Sequence, residues 1–247
     1  MAEVPESIVS DVRASLGRNL TYGIQEVLGR SIVIGDYKNK PFPTEAELVR
    51  THGVSRVVMR EAVKMLGAKG LLAARPKQGT FVRPLDAWNL SDPDVLRWLL
   101  ERGPSIELLR HFNELRMGVE PQAAAIAARR ASATQLEAIR SGLERMRQAE
   151  KDRDDPLEAD LAFHVAILRA TNNPFYVQFR EVVATALRAS IRVTNRIAGR
   201  TANIDDHAAV CDAILAGDAE HAANTMRRLI KDVLDLIEPG ASGGTNR

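Results

Sequence analysis

The sequence contains little cysteine and no long apolar run, and these two absences exclude several classes of protein. Its single cysteine, Cys211, can form no disulfide within the chain and offers no zinc-finger spacing. No apolar stretch approaches the roughly 20 residues that a membrane span needs. The opening residues, MAEVPESIVSDVR, lack the basic and then apolar order of a signal peptide. We therefore expect a cytoplasmic protein that makes no use of a membrane.

The charged residues are distributed unevenly along the chain. The 247 residues suffice for two modest domains, and the formal net charge is only +2. Residues 1–83, however, hold 13 Lys and Arg against 8 Asp and Glu, whereas residues 84–247 hold 21 against 24. A basic head on a slightly acidic body indicates that the N-terminal third binds a polyanion.

The N-terminal third carries the signals of two short helices joined by a tight turn. Thr44 and Glu47 have the spacing of a capping box, which opens the first helix. Gly53 stands where a tight turn needs a left-handed residue, and Ser55 offers an N-cap for the second helix. The second helix is predicted over about 55–69.

The second helix has one basic face and one apolar face. At about 100° per residue, Arg60 lies about 40° and Lys64 about 80° from Arg56. The apolar residues on the opposite side are Val58, Ala62, Met65 and Leu66. A helix of this kind is typical of a helix-turn-helix reader, which inserts its first turns into the major groove. Arginine suits this role because its planar fork bonds guanine or phosphate bidentately.

A hairpin is predicted after the second helix. Two short apolar segments, 71–75 and 80–82, flank the turn Pro76-Lys77-Gln78-Gly79. Lys77 would stand at the tip, and Gly79 would allow close approach to a phosphate. Together with the two helices, this hairpin predicts a winged helix-turn-helix DNA-binding domain over residues 1–83.

The rest of the sequence predicts only helices. Residues 84–105 contain both tryptophans and a helix start at Asp92-Pro93, which indicates a linker with a short docking helix. Helical apolar spacing then recurs through 106–130, 134–150, 156–171, 174–198, 202–216 and 218–238. We expect a mainly α protein: the winged head, then an all-α bundle of six to seven helices over 106–240, and a disordered tail at 241–247.

Three polar residues interrupt the apolar stripes of the bundle. Asp160 and His164 are four residues apart and share a helix face with Ile167 and Leu168, so both are predicted to face inward. His207 shares its face with Cys211. A buried carboxylate beside imidazoles suits a divalent transition metal. The alternative is that the three residues form ordinary hydrogen bonds in the core.

The motifs of the N-terminal third resemble those of the GntR family of transcription regulators. The residues that carry the resemblance are Pro43-Thr44-Glu45-Ala46-Glu47-Leu48, Gly53-Val54-Ser55-Arg56, Arg60-Glu61-Ala62-Val63 and Gly79-Thr80-Phe81-Val82. The resemblance implies DNA contacts, which we assign to Thr44, Ser55, Arg56, Val57, Arg60, Lys77, Gln78 and Gly79. Ala46 departs from the arginine that many relatives carry, so one family contact is expected to be missing.

The C-terminal part resembles the FCD effector domain of the FadR branch. The residues in question are Leu115-Arg116, Glu120-Pro121, Phe163-His164, Asn173, His207 and Gly217-Asp218. Around Trp88 and Trp98 the sequence is most similar to regulators of galactonate catabolism. The resemblance implies a divalent metal (zinc, manganese or nickel) on Asp160, His164 and His207. The family's fourth ligand falls at Leu229, which cannot bind metal, and His221 is predicted to face away.

Two arginines are candidates for holding an effector. Arg116 shares a face with Glu120, so it forms either an intrahelical ion pair or, as the resemblance implies, a clamp for an effector carboxylate. Arg188 is the second candidate.

The overall prediction is a homodimeric, ligand-responsive repressor that binds operator DNA and is not an enzyme. Its small carboxylate effector would be a sugar acid or a related compound. Two alternatives remain open at this point. One is a metal-dependent enzyme built on Asp160, His164 and His207, although the sequence has no HExxH motif and no evident nucleophile beside them. The other is an architectural DNA-binding protein without an effector.

Overall fold

The computed structural model describes residues 6–38, 40–76, 78–102, 106–198 and 203–237, and the side chains of all of these except 6–18 and 189–198. The chain divides after Arg102 into two compact units. Among the described residues, no helix combines the length and the apolar character that a membrane crossing requires. The tail predicted at 241–247 lies outside the described residues.

The N-terminal unit is a winged helix-turn-helix preceded by a long helix and followed by a short one. Its helices are α1 (Glu6–Ile34), α2 (Glu45–His52), α3 (Arg56–Ala68) and α4 (Pro93–Glu101), with strands β1 (Leu72–Arg75) and β2 (Gly79–Val82) and one 3₁₀ turn (Leu85–Ala87). The two strands pair antiparallel, with Leu72 opposite Val82 and Arg75 opposite Gly79. The predicted helix pair and wing are confirmed.

The predicted caps also form. Thr44 Oγ1 accepts a hydrogen bond from the backbone N–H of Glu47, whose carboxylate accepts one from the Thr44 N–H in return. Gly53 has a φ of 64°, which a glycine adopts without steric cost. Ser55 Oγ accepts from the N–H of Val58 and so fixes the first turn of α3.

The buried face of α3 is rotated from the predicted one. Met59, Ala62 and Leu66 are fully buried, whereas Val58 and Met65 are only half-buried. The reason is that α3 packs against α1 as well as α2, so the centre of its core face lies nearer to Met59. Arg56 and Arg60 remain on the opposite, exposed side.

Helix α4 belongs to the N-terminal unit rather than standing apart as a linker. The outer edge of the Trp98 indole lies against Gly29 of α1, where a Cβ atom would come within 2.3 Å of the ring. Lys69, at the end of α3, donates to Asp92 and Asp94 at the start of α4 over 2.8–2.9 Å. Residues 84–102, the described part of the segment expected to link two domains, therefore belong to the N-terminal unit.

Gly29→Ala is expected to destabilise the N-terminal unit by about 1–3 kcal/mol, because the added methyl must push the indole of Trp98 aside. The matched control is Gly23→Ala on the same helix, where nothing lies within 4 Å of the added Cβ. That variant should be stabilised by about 0.5–1 kcal/mol through helix propensity. Urea denaturation followed by tryptophan fluorescence measures both, and an equal effect of the two substitutions would contradict the packing described.

The described part of the C-terminal unit is an all-α bundle of six helices, which confirms the predicted class. They are α5 (Ile106–Arg130), α6 (Ala133–Ala149), α7 (Pro156–Ala170), α8 (Pro174–Ala198), α9 (Ile204–Leu215) and α10 (Ala219–Ile237). Helix α5 packs along α10, and α7 lies against α5, α6 and α8. Gly142 lets α6 approach the backbone of α7, since a Cβ there would lie 2.8 Å from Phe163 Cα. Among the described residues of this unit, the buried charged and histidine side chains lie on α5, α7 and α9.

Candidate nucleic-acid interface and metal centre

The exposed face of α3 carries Arg56, Val57 and Arg60. Val57 is 72% exposed, and the Arg60 side chain is 60% exposed. Thr44 and Ser55, the caps of α2 and α3, are exposed at the N-terminal ends of the two helices. Arg56 and Arg60 thus lie on an exposed side of α3, as their angular positions predicted.

Two carboxylates lie beside the cations of α3. Glu45, the first residue of α2, places its Oε2 atom 3.5 Å from Arg60 Nε. Glu61 accepts a hydrogen bond from Lys64 Nζ at 2.8 Å. Both pairs are exposed, so each contributes little to stability. Lys64, in contrast, has a partner within its own helix.

The wing adds a second exposed surface. Gln78 and Gly79 are exposed, and Gly79 has a φ of 82°. Lys77, predicted at the wing tip, lies outside the described residues. The guanidinium of Arg75 lies 4.3 Å from the centroid of the Phe81 ring, a cation–π contact that restrains a cation on the wing. Sequence reasoning did not single out Arg75, although the predicted hairpin places it beside the turn.

Helices α7 and α9 bring Asp160, His164 and His207 together in the bundle core. All three residues are buried, and their ligand atoms lie within 4.8 Å of one another. Asp160 Oδ1 is 3.2 Å from His164 Nε2 and 3.4 Å from His207 Nε2. The predicted inward orientation of these side chains is thus observed.

Hydrogen bonds at the outer ring nitrogens orient both imidazoles. Nδ1 of His207 bonds the backbone carbonyl of Asn203 at 2.6 Å, and Nδ1 of His164 bonds Glu120 Oε2 at 2.6 Å. Each Nδ1 therefore carries its proton, and each Nε2 is directed toward Asp160. Second-layer contacts of this kind are the ones that fix the ring of a metal-binding histidine.

Arg116 closes the cluster from α5. It donates from Nε to Glu120 Oε1 at 2.5 Å and from Nη1 to Asn113 Oδ1 at 3.1 Å. Its Nη2 atom lies 3.4 Å from His164 Nε2. The predicted pair with Glu120 exists and is buried, since both side chains are only 2% exposed.

Burial and charge act against each other on the titrating groups of the cluster. Burial alone would raise the pKa of Glu120, but Arg116 and His164 lower that pKa to about 2. Burial would lower the pKa of His164, whereas Glu120 and Asp160 raise it to about 9. The pKa of Asp160 also lies well below its usual range, because the two imidazoles outweigh its burial. Both carboxylates are therefore ionised at neutral pH.

The donor set fits a divalent cation. Within the described part of the chain, Asp160 Oδ1 and His207 Nε2 are buried, and their approaches of 3.2–3.4 Å to the neighbouring ring nitrogen or carboxylate lack hydrogen-bond geometry. Leaving such atoms unsatisfied costs free energy that a ligated cation recovers. Bonds of about 2.1 Å in a tetrahedral zinc site place ligand atoms roughly 3.4 Å apart, which is close to the observed spacing around Asp160. One carboxylate and two imidazoles are common zinc, manganese or nickel ligands.

The described residues offer three ligands rather than four. Leu229, at the family's fourth position, is buried on α10 and carries no ligand atom. His221, on the same helix, is exposed, as its angular position predicted.

The structure separates the two arginines proposed for an effector. Arg188 pairs with Glu158 at 3.0 Å, and their side chains are 43% and 44% exposed. Only Arg116 joins the buried cluster. Sequence reasoning missed Asn113 and treated Glu120 merely as a partner of Arg116. Their spacing at 113, 116 and 120 on one helix face was the signal that could have found them.

Comparison with known proteins identifies both units. Residues 23–82 match the family described as bacterial regulatory proteins, gntR family, and residues 112–232 match the FCD domain. The chain is 37% identical over 214 residues to the galactonate operon transcriptional repressor of Escherichia coli K12, covering 84% of this chain and 93% of that one. It is 31% identical over 217 residues to the uncharacterized regulator YieP of the same organism, covering 87% and 94%.

Solved structures agree on the fold. The Lar protein of Listeria monocytogenes matches with a TM-score of 0.52 at 18% identity, covering 88% of this chain and 95% of that one. The matched families and relatives are transcription regulators, not enzymes, so the metalloenzyme alternative is discarded. The chain belongs to the GntR family of bacterial transcription regulators, and its C-terminal unit is an FCD domain.

Proposed function

We propose that this protein is a homodimeric repressor of an operon for the catabolism of a sugar acid or a related carboxylate. The observation that carries the proposal is the exposed face of α3, where two arginines stand beside a capped N-terminus in a winged helix-turn-helix. The similarity to a galactonate operon repressor supports the sugar-acid class. A bacterial operator lies in the cytoplasm, so the proposal places the protein there.

In this proposal the first turns of α3 enter the major groove. Arg56 and Arg60 bond base edges or phosphates, and Thr44 and Ser55 bring the amide groups of their helix starts near the DNA backbone. Gln78 and Gly79 of the wing, together with Lys77, contact the adjacent DNA backbone. Two copies related by a two-fold axis would read a pseudo-palindromic operator.

The effector site is proposed at the buried cluster of the FCD unit. Arg116 is the only arginine of the two candidates that meets the cluster, and its guanidinium fork suits a carboxylate. A carboxylate that binds there competes with Glu120 for the donors of Arg116. Arg188 remains a second, peripheral candidate, which an effector would reach by displacing Glu158.

Asp160, His164 and His207 would hold a divalent metal in the same cluster. Such a cation supplies an electrophilic docking point for a carboxylate or hydroxyl oxygen of the effector. Holding it requires His164 to lose the proton that Glu120 and Asp160 otherwise stabilise. With three protein ligands, the affinity is expected to be lower than in relatives with four.

The effector acts on DNA binding only through a difference in affinity. It must bind the DNA-bound and the DNA-free arrangements of the dimer unequally, and by linkage operator DNA then alters effector affinity by the same factor. A repressor requires that the effector favour the DNA-free arrangement.

Thermal denaturation against a panel of sugar acids and dicarboxylates, with and without added zinc or manganese, tests the effector site. An acid present at 100 times its dissociation constant stabilises by about 2.7 kcal/mol, which raises the Tm by roughly 5–10 °C. His207→Ala should abolish the shift produced by metal, whereas the exposed His221→Ala should retain it.

The outcome distinguishes the remaining alternative. If no acid and no metal changes the Tm, the effector site is refuted and the architectural DNA-binding protein becomes the better description. If metal shifts the Tm equally in His207→Ala and the wild type, the metal binds elsewhere.

A further inference from the structure

The exposed face of α3 contains an apolar residue that neither the core nor the helix itself explains. Val57 is 72% exposed, although it lies in the first turn between two exposed arginines, Arg56 and Arg60. The residues that pack α3 into the unit, Met59 and Leu66, lie on the other side of the helix.

Local propensity does not account for a valine at this position. A β-branched side chain loses rotamer freedom in a helix, so alanine or a straight-chain residue would be favoured at an exposed site. With Arg56 at 0°, Arg60 lies at about 40° and Val57 at about 100°, so the valine shares the surface with the arginines. The surface therefore presents one apolar group beside two cations.

The charges around Val57 restrict what can cover it. An apolar protein partner would have to bury Arg56 and Arg60 without compensation, which is expensive. The partner must bind two arginines and also offer an apolar group to Val57. Duplex DNA meets the first requirement, because its phosphates and guanine edges bind arginine. The one apolar group on the base edges of the major groove is the 5-methyl group of thymine.

We propose that Val57 is a specificity-determining residue that contacts the 5-methyl group of a thymine in each operator half-site, beside the base pairs bound by Arg56 and Arg60. This inference rests on the proposed function, since it requires α3 to lie in the major groove. It adds a base-specific reading that the arginines cannot supply, because they recognise hydrogen-bond acceptors only.

The test uses the full chain and duplexes selected by the wild-type protein from a random DNA library. Each thymine of the selected duplex is then replaced in turn by deoxyuridine, which removes the methyl group and keeps every hydrogen-bonding atom. Burying one methyl contributes about 0.8 kcal/mol, so one replacement per half-site should lower affinity about fourfold, or about fifteenfold for both half-sites.

Val57→Ala should show the same loss on thymine duplexes and no further loss when deoxyuridine replaces the critical thymine. Val57→Thr keeps one methyl group, so its affinity for the thymine duplex should lie between those of the wild type and Val57→Ala. The exposed position of Val57 means that these variants fold, and an unchanged Tm checks this.

The methyl contact would be refuted if Val57→Ala lost the same affinity, relative to the wild type, on the thymine duplex and on the deoxyuridine duplex. It would also be refuted if no thymine replacement changed the affinity of the wild type. In both cases the selected duplex still binds, so the proposed function survives. Failure of the wild type to select any duplex would refute the proposed function and this inference together. Unchanged DNA affinity in Val57→Ala would likewise refute the methyl contact.

Discussion

Arg60→Ala is expected to abolish sequence-specific DNA binding while leaving the fold intact. The side chain is 60% exposed and makes one exposed contact, to Glu45 at 3.5 Å, so its removal leaves no cavity and no buried charge. A bidentate arginine–guanine pair contributes about 1–3 kcal/mol of discrimination, and a homodimer loses it twice. A loss of about 2–6 kcal/mol corresponds to roughly 30-fold to 10⁴-fold, measured by fluorescence anisotropy on a selected duplex.

Two control variants separate recognition from bulk charge. Arg140→Ala removes the same charge from an exposed ion pair on α6 and should leave DNA affinity nearly unchanged. Arg60→Lys keeps the charge but loses the planar fork, so it should retain nonspecific binding and lose discrimination. An Arg60→Ala protein that titrates like the wild type would place the reading surface elsewhere.

Arg116→Ala should destabilise the C-terminal unit by about 3–5 kcal/mol. The substitution leaves the carboxylate of Glu120 in the core with only the His164 ring as a partner, and breaking a buried ion pair on one side costs about this much. Both tryptophans lie in the N-terminal unit, at 88 and 98. Urea denaturation should therefore show an early loss of helical circular dichroism while the tryptophan fluorescence transition stays in place.

The matched control for Arg116→Ala is Arg188→Ala, which removes an arginine–glutamate pair that is nearly half exposed and should cost under about 1 kcal/mol. Adding Glu120→Gln to Arg116→Ala should recover part of the lost stability, because the second change removes the uncompensated charge. If the two arginine variants were equally stable, the buried pair would not be the structural element described.

Sequence patterns were sufficient for the fold because each element carries its own local signal. The capping box at Thr44, the glycine at Gly53 and the helical spacing of the C-terminal part depend on residues within a few positions of one another. The metal candidates Asp160 and His164 were accessible for the same reason. The buried face of α3 was predicted a fraction of a turn away from its observed position. The reason is that the side of α3 that meets the core depends on how α1 packs against it.

The rest of the cluster depends on contacts between distant segments. Glu120 meets His164 from 44 residues away, and nothing near either residue in sequence indicates that contact. Asn113 joins through the guanidinium of Arg116, so its role is visible only once Arg116 is known to be buried. In the same way, the contacts of Trp98 with Gly29 and of Lys69 with Asp92 and Asp94 show that α4 belongs with the first unit, and no local sequence pattern indicates them.

The contact between Gly29 and Trp98 bears on where this chain can be divided. A fragment that stopped at residue 83, where the wing ends, would strip the indole from α1 and the carboxylates of Asp92 and Asp94 from Lys69. The smallest fragment expected to keep the N-terminal unit intact therefore extends to Arg102, the last residue of that unit. When FCD domains are exchanged between relatives, in the laboratory or by recombination, the N-terminal unit stays intact only if the junction falls beyond that residue.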